Sequence, residues 1–288
     1  MPELPEIETV RRCVGPMLIG RRVESVNVRC SKLIAHPSEN GFAESLVGRR
    51  VESVGRRGKF LVWSLDSGAH VDIHFRMSGQ MTVSPPERPE MRWTRLEITL
   101  NDGCVLRYAD QRRFGRMWLF EDGEEDTSGI NALGPEPDDS AVDWRYLKGM
   151  LGNRRMALKS ALLDQSVVAG LGNIYTDESL FGARINPLTP CCEVTTPQWK
   201  RLATQIPRIV SRAISENAMS PEQYLESEGR GYRSSDCLQA YGHGGLPCVR
   251  CGTPMIRSVV GGRSACWCPR CQPPKLHRTP AFRRASRL

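Results

Sequence analysis

The sequence predicts an α+β chain: a β-sandwich led by one helix, a helical domain behind it, and a small four-cysteine finger near the C-terminus. Three observations predict this. Residues 23–121 read as short alternating or β-branched runs separated by turns. The alternation stops after an acidic, Gly- and Pro-rich stretch at 122–143. Cys248, Cys251, Cys268 and Cys271 then stand as two C-x-x-C pairs with sixteen residues between them.

Residues 6–18 carry Ile7, Val10 and Val14 on one apolar stripe, with Pro5 and Glu6 suited to a helix start and Gly15-Pro16 to its end. The runs VESVNV, VESVG, KFLVWSL, HVDIHF, RLEITL, CVLRY and RMWLF predict strands, and Asn101-Asp102-Gly103 a hairpin turn. The N-terminal domain is therefore expected over 2–121, followed by the acidic linker 122–143. Segments 144–165, 173–182, 197–217 and 221–227 read as helices of a second domain spanning 144–247, which closes with a glycine-rich loop at 228–247. The finger spans 248–272, and the basic tail 273–288 has the composition of a disordered segment.

Composition narrows the function. The chain has 288 residues, 40% hydrophobic and 25% charged, as in an ordinary globular protein. No run approaches the ~18 apolar residues of a membrane span. The first ten residues carry three glutamates and no basic cluster, unlike a secretory signal, so a cytoplasmic, nucleoid-associated protein is expected. Of the 40 basic residues, nine lie in 248–288, where there is no acid; the other 31 face 32 acids. That block suits a polyanion such as nucleic acid. Four of the eleven cysteines have the spacing of a zinc ribbon with Gly261-Gly262 at its turn, closed to chemistry and therefore structural. The odd feature is the N-terminus. With Met1 removed, Pro2 is a free secondary amine, partly neutral near pH 7, able to attack a sugar carbon and form a cationic imine. Glu3 beside it could move protons.

Seven segments occur in an order shared with one family: Pro2-Glu3-Leu4-Pro5-Glu6-Ile7-Glu8-Thr9, Arg56-Arg57-Gly58-Lys59-Phe60-Leu61, His74-Phe75-Arg76-Met77-Ser78-Gly79, Arg112-Arg113-Phe114-Gly115, Leu133-Gly134-Pro135-Glu136-Pro137, Gly170-Leu171-Gly172-Asn173-Ile174-Tyr175 and the paired C-x-x-C. The chain resembles formamidopyrimidine-DNA glycosylase from residue 2 to about 272. The resemblance implies a helix–two-turn–helix in the second domain and a monomer clasping double-stranded DNA with oxidised bases or abasic sites. It implies one structural zinc, no redox cofactor, and a bifunctional glycosylase/AP lyase of base excision repair acting on oxidised purines.

By the same resemblance Pro2 is the nucleophile, Glu3 the acid that helps open the sugar, and Lys59 a phosphate and lesion contact that serves elimination. Asn173 and Arg263 clamp phosphates, Arg263 also assisting the last elimination. Met77, Arg112 and Phe114 fill the gap left by an extruded nucleotide, which suits apolar wedges and a cation. Arg154 and Lys159 belong to the DNA-contacting set, and Trp93 stands where the family commonly has a DNA-touching histidine. The capping loop also departs from the family's Gly-Tyr-Phe, reading Gly231-Tyr232-Arg233. An endonuclease VIII-like enzyme for oxidised pyrimidines is the alternative, but such chains begin Pro-Glu-Gly-Pro-Glu, whereas this one has Leu4. A catalytically inactive zinc-ribbon DNA-binding homologue would have no need of Pro2, Glu3 and Lys59 together.

Overall fold

The structure, a computed structural model, describes residues 2–232 and 234–274. Met1, Arg233 of the capping loop and residues 275–288 of the tail lie outside the described residues. Helix α1 (Leu4–Leu18) precedes nine strands: β1 (Val23–Val28), β2 (Ile34–His36), β3 (Val51–Arg57), β4 (Phe60–Leu65), β5 (His70–His74), β6 (Gly79–Ser84), β7 (Thr94–Leu100), β8 (Val105–Asp110) and β9 (Arg116–Phe120), with α2 (Glu39–Leu46) between β2 and β3. They form a four-stranded sheet in the order β1-β7-β8-β6 and a five-stranded sheet in the order β2-β9-β5-β4-β3. All pairings are antiparallel except β2 with β9. The inward residues of both sheets, such as Leu61, Trp63, Val71, Ile73, Leu96 and Leu106, make one core.

Helix α1 belongs to two cores. Ile7, Val10, Val14 and Leu18 pack in the sandwich, while Leu4 lies in the core of the helical domain with Leu158, Leu171 and Tyr175. Each such buried aliphatic side chain contributes about 1.5–3 kcal/mol. The helix starts two residues earlier than the apolar stripe indicates and passes through Pro16. Proline there forfeits one hydrogen bond, but Ile19 N–H still reaches the Gly15 carbonyl at 3.0 Å and buried Leu18 holds the last turn.

The helical domain comprises α3 (Trp144–Leu151), α4 (Leu158–Leu162), α5 (Asn173–Ala183), α6 (Thr196–Glu216) and α7 (Pro221–Glu226). The helix expected over 144–165 is two helices. Between them Ala157 bridges Pro190, and the Leu158 and Cys191 amides donate to Thr189 and Met156 carbonyls, so this backbone pairs with a distant segment instead of coiling. Strands β2 and β6 and helix α2 were not expected from the sequence.

The finger is a hairpin, β10 (Ile256–Val260) and β11 (Arg263–Trp267), with Gly261-Gly262 at its turn as expected. Its four cysteine sulfurs lie within 4.8 Å of one another, with Cys248–Cys271 at 4.0 Å and Cys251–Cys268 at 3.5 Å. Zinc–sulfur bonds of about 2.3 Å in a tetrahedron require sulfur separations near ~3.8 Å, so this donor set fits one structural zinc. Among the described residues, no helix is long and apolar enough to cross a membrane.

The finger is docked by buried charge. Lys159 of α4 is fully buried and pairs with Asp177 of α5 at 2.6 Å; its ammonium also donates to the Ser264 carbonyl on β11. The other Asp177 oxygen accepts the Cys266 N–H at 3.1 Å. Removing one partner of such a pair strands the other charge. Lys159→Met should lower stability by about 3–5 kcal/mol in chemical denaturation. A change under 1 kcal/mol would show the pair to be dispensable.

Candidate active site

The site is built where the N-terminus meets the start of α5. That helix has Gly172 at its N-cap, which offers no side chain to the helix's free N–H groups. The Glu3 carboxylate takes that place from 171 residues away, accepting the Ile174 N–H at 3.0 Å and the Tyr175 N–H at 3.3 Å. The approach is so close that a Cβ on Gly172 would stand 2.4 Å from Glu3 Oε1, and one on Gly170, which has φ +83°, 2.4 Å from Leu4 Cδ1. This is why the loop reads Gly-Leu-Gly.

Glu3 is fully buried. Burial pushes its pKa up to about 7, against the opposing pull of Lys59 and the two helix N–H groups. Lys59 sits in the β3–β4 turn and donates to the Leu171 carbonyl at 2.8 Å. Burial, with Arg263 nearby, holds its pKa below the ordinary value although Glu3 pulls it up. The turn is clasped by Glu136, which accepts from Gly58 N–H at 2.7 Å, Arg56 at 2.7 Å and Arg57 at 2.9 Å. Burial would raise the Glu136 pKa, but the arginines and the amide outweigh it and hold it low.

Two adjoining cavities share Pro2 and Met77. The larger, about 560 Å³, is walled by Lys59, His74, Arg76, Phe114, Arg116, Asn173 and Arg263. The smaller, about 310 Å³, is lined by Glu6, Gln80, Ile174, Arg230, Tyr232 and Tyr241. Both fall in the range of about 300–1,000 Å³ of ligand pockets. His74 is kept neutral by burial and the cations beside it, with its pKa near 3, and its Nδ1 accepts the Arg76 N–H at 3.0 Å. Asn173 opens α5 and donates to Ser264 at 3.1 Å, and Arg263 is exposed at the finger's turn.

Met77 and Phe114 are exposed apolar side chains at the mouth, 40% and 46% accessible, with the Arg112 guanidinium 4.7 Å over the Phe114 ring. Buried Asp110 fixes both loops that carry them. It accepts from Ser78, from the Arg112 N–H at 3.1 Å and from the Gly115 N–H at 2.8 Å.

Thus Pro2, Glu3, Lys59, Met77, Arg112, Phe114, Asn173 and Arg263 converge. Trp93 and Arg154 line neither cavity. Trp93 is exposed before β7, at φ +70°, with Arg92 and Arg95 over its ring at 4.7 and 5.7 Å. Arg154 pairs with Asp164 at 3.2 Å. Lys159 is a correction: a side chain with no exposed surface cannot touch DNA, and its charge is spent on Asp177. The sequence reading assigned no role to Glu136, Asp110 or Glu178. The Glu178 carboxylate accepts the N–H groups of Gln239, Ala240 and Tyr241, at 2.7 Å for Ala240, and so holds one wall of the smaller cavity. Only the recurrence of Glu136 in the Leu-Gly-Pro-Glu-Pro segment pointed to it.

A cation-walled cleft between a β-sandwich and a helical domain, with Pro2 and Lys59 on its walls and buried Glu3 beside them, has the make-up of a DNA glycosylase. The comparisons identify which one. The N-terminal domain of formamidopyrimidine-DNA glycosylase matches residues 1–117, its helix–two-turn–helix domain 133–223, and the zinc finger found in FPG and IleRS 245–274. The formamidopyrimidine-DNA glycosylase of Bacillus subtilis is 40% identical over 96% of this chain and 100% of its own, and that of Symbiobacterium thermophilum 41% identical over 95% and 90%. A Lactococcus lactis formamidopyrimidine-DNA glycosylase, solved non-covalently bound to DNA containing an AP site, superposes with TM-score 0.84 at 29% identity, covering 95% of this chain and all of that one. A MutM structure in complex with DNA containing carbocyclic 8-oxoG superposes with TM-score 0.86 at 29% identity, covering the same shares. The chain belongs to the formamidopyrimidine-DNA glycosylase family.

The raised Glu3 pKa has a signed consequence. Between its ordinary 4.5 and about 7 the folded protein keeps a proton that the unfolded chain releases. The contribution is present below 4.5 and is lost as pH rises through about 7, on the order of 3 kcal/mol in all. Glu3→Gln carries no such charge. Its Tm should gain on the wild type between pH 5 and pH 8 in parallel melts, and a constant difference would show that Glu3 titrates normally.

Proposed function

We propose that this chain excises oxidised purines from double-stranded DNA and nicks the strand at the resulting abasic site. The observation that carries the reading is Pro2 standing at the junction of the two cavities, with Glu3 and Lys59 beside it. Removal of Met1 leaves Pro2 with a secondary amine. Its nitrogen attacks C1′ of an extruded nucleotide, the base departs with a proton, and the sugar ring opens to a cationic imine. Glu3, titrating near 7, is poised to give the ring oxygen its proton and take it back. Lys59, easier to deprotonate than a free lysine, suits proton removal in the β,δ-eliminations that break the strand. Arg263 and Asn173 would grip the flanking phosphates, and Met77, Phe114 and Arg112 would fill the vacated stack. Arg154 and Trp93 would touch the backbone at the margins of the footprint. The zinc supplies rigidity to the finger when bound.

The domain division follows the same logic: a sandwich over 2–121 and helices over 144–247 close on DNA from two sides, linked by 122–143, with the finger at 248–272. The chain acts on the DNA of the nucleoid in the cytoplasm. The purine branch is favoured by Leu4, whose side chain fills the helical core against Gly170.

Borohydride trapping with duplex DNA holding one 8-oxoguanine opposite cytosine, followed by mass spectrometry, tests the reading. A covalent adduct on Pro2 is expected. An adduct formed only with an oxidised pyrimidine would move the substrate, and none on any lesion or abasic site would leave a DNA-binding homologue without catalysis. Duplex affinity should also fall linearly on a log–log plot against salt, by about 0.9 per phosphate contacted. A flat titration would contradict the cationic cleft as the binding face.

A further inference from the structure

Strand β5 has two ends with different surroundings. Val71 and Ile73 face the sandwich core, so His70, Asp72 and His74 share the opposite face. His74 walls the active-site cleft. His70, roughly 13 Å away along the strand, lies instead beneath the start of the acidic linker. There His70 Nε2 stands 3.4 Å from Asp126 Oδ2, and one ligand atom each from His70, Asp72 and Asp126 lies within 4.8 Å of the others. A cavity of about 460 Å³ opens beside them, lined also by Glu52 and Ser64.

Asp72 is the anomaly. It is fully buried and lines this cavity, its Oδ1 accepts from no N–H or O–H donor among the described residues, and its carboxyl lies against that of Asp126. A buried carboxylate oxygen with no donor is costly. The remaining oxygens are already served. Ser128 Oγ donates to Asp72 Oδ2 at 2.6 Å, and the Ser128 N–H to Asp126 Oδ1 at 2.8 Å. Those bonds fix both carboxylates near the imidazole, as outer partners do around a metal's ligands.

We propose that His70, Asp72 and Asp126 bind a second metal ion, a divalent first-row transition metal, which clamps the linker to the sandwich. One imidazole and two carboxylates suit manganese or zinc; they lack the thiolates that reserve the finger for zinc and the all-oxygen set that calcium prefers. The ion would take Nε2 of His70, Oδ1 of Asp72 and Oδ2 of Asp126, and water from the cavity. It would cross-link β5 to residue 126 of the linker, remote from the chemistry. The inference does not depend on the lesion excised.

Manganese is the discriminating probe, because a four-thiolate site already loaded with zinc does not exchange for it. Full-length, zinc-loaded protein should remove one Mn²⁺ per chain from the free aquo-ion signal in electron paramagnetic resonance. Asp72→Asn and His70→Gln should each weaken that binding at least tenfold without changing the zinc content. Wild-type protein that binds no Mn²⁺, or variants that bind it as the wild type does, would overturn the proposal. If Asp72→Asn fails to fold by circular dichroism, His70→Gln decides alone, since that side chain is 31% exposed and its replacement opens no core.

Discussion

The rest of the structure depends on one carboxylate at the wrong end of the chain. Helix α5 begins at a glycine and lacks its own cap, and Glu3 supplies it across the domain boundary. The consequences run outward. The loop before α5 must be Gly-Leu-Gly for the N-terminus to reach it. Leu4, the next residue, is then inserted into the helical core while the rest of α1 stays in the sandwich core. The two domains are thereby pinned by the same few residues that hold Pro2 at the cleft. Strain or slack at this junction would reach Pro2 directly, because no residue separates the cap from it. The same burial that makes Glu3 a good cap raises its pKa into the range useful for proton transfer.

Charge in this molecule is sorted by role. The acids around the cleft work behind its surface as clasps: Glu136 on the β3–β4 turn, Asp110 on the wedge loops, Glu178 on residues 239–241. Each accepts several backbone or guanidinium donors, which keeps a buried carboxylate tolerable. The bases Arg76, Arg116 and Arg263 are left facing the cavity. A chain with only a modest positive excess can therefore present a strongly cationic face to a phosphate backbone. The clasps also keep the cationic loops in place without DNA, so less ordering is required on binding.

Periodicity made most strands and helices α5 to α7 legible, and cysteine spacing the finger, because each is specified by neighbours in the sequence. What escaped was specified from afar. Strand β2 is three residues long and pairs in parallel with β9, so it has no alternation to read. The break between α3 and α4 comes from a bridge to residue 190. Lys159 carried the chemistry of a surface residue, and only its partner eighteen positions on, brought into the core by α5, reverses that reading. The site was legible in a different way. Pro2 and Glu3 were visible as chemistry, Arg263 as a basic residue at the finger's turn, and Lys59 only through the resemblance. The reason Glu3 is buried lay 171 residues downstream.

The finger shows why a structural metal can matter to catalysis without touching it. A two-stranded hairpin is marginal by itself, and zinc makes it rigid. Rigidity would be idle unless the hairpin were also fixed to the helical domain. Lys159 and Asp177 grip β11 on both sides of Ala265, Arg250 donates to the Phe181 carbonyl at 2.9 Å with its guanidinium over that ring, and Gln272 donates to the Ile185 carbonyl at 2.8 Å. All of these fasten the hairpin to α5 and its flanks, the helix that Glu3 caps. Arg263, at the turn, is thereby carried to the cleft and to Lys59 from a segment 204 residues away in the chain. The N-terminal cap and the finger thus act on the same helix, and together they set the two walls from which Pro2 and Arg263 face the cleft.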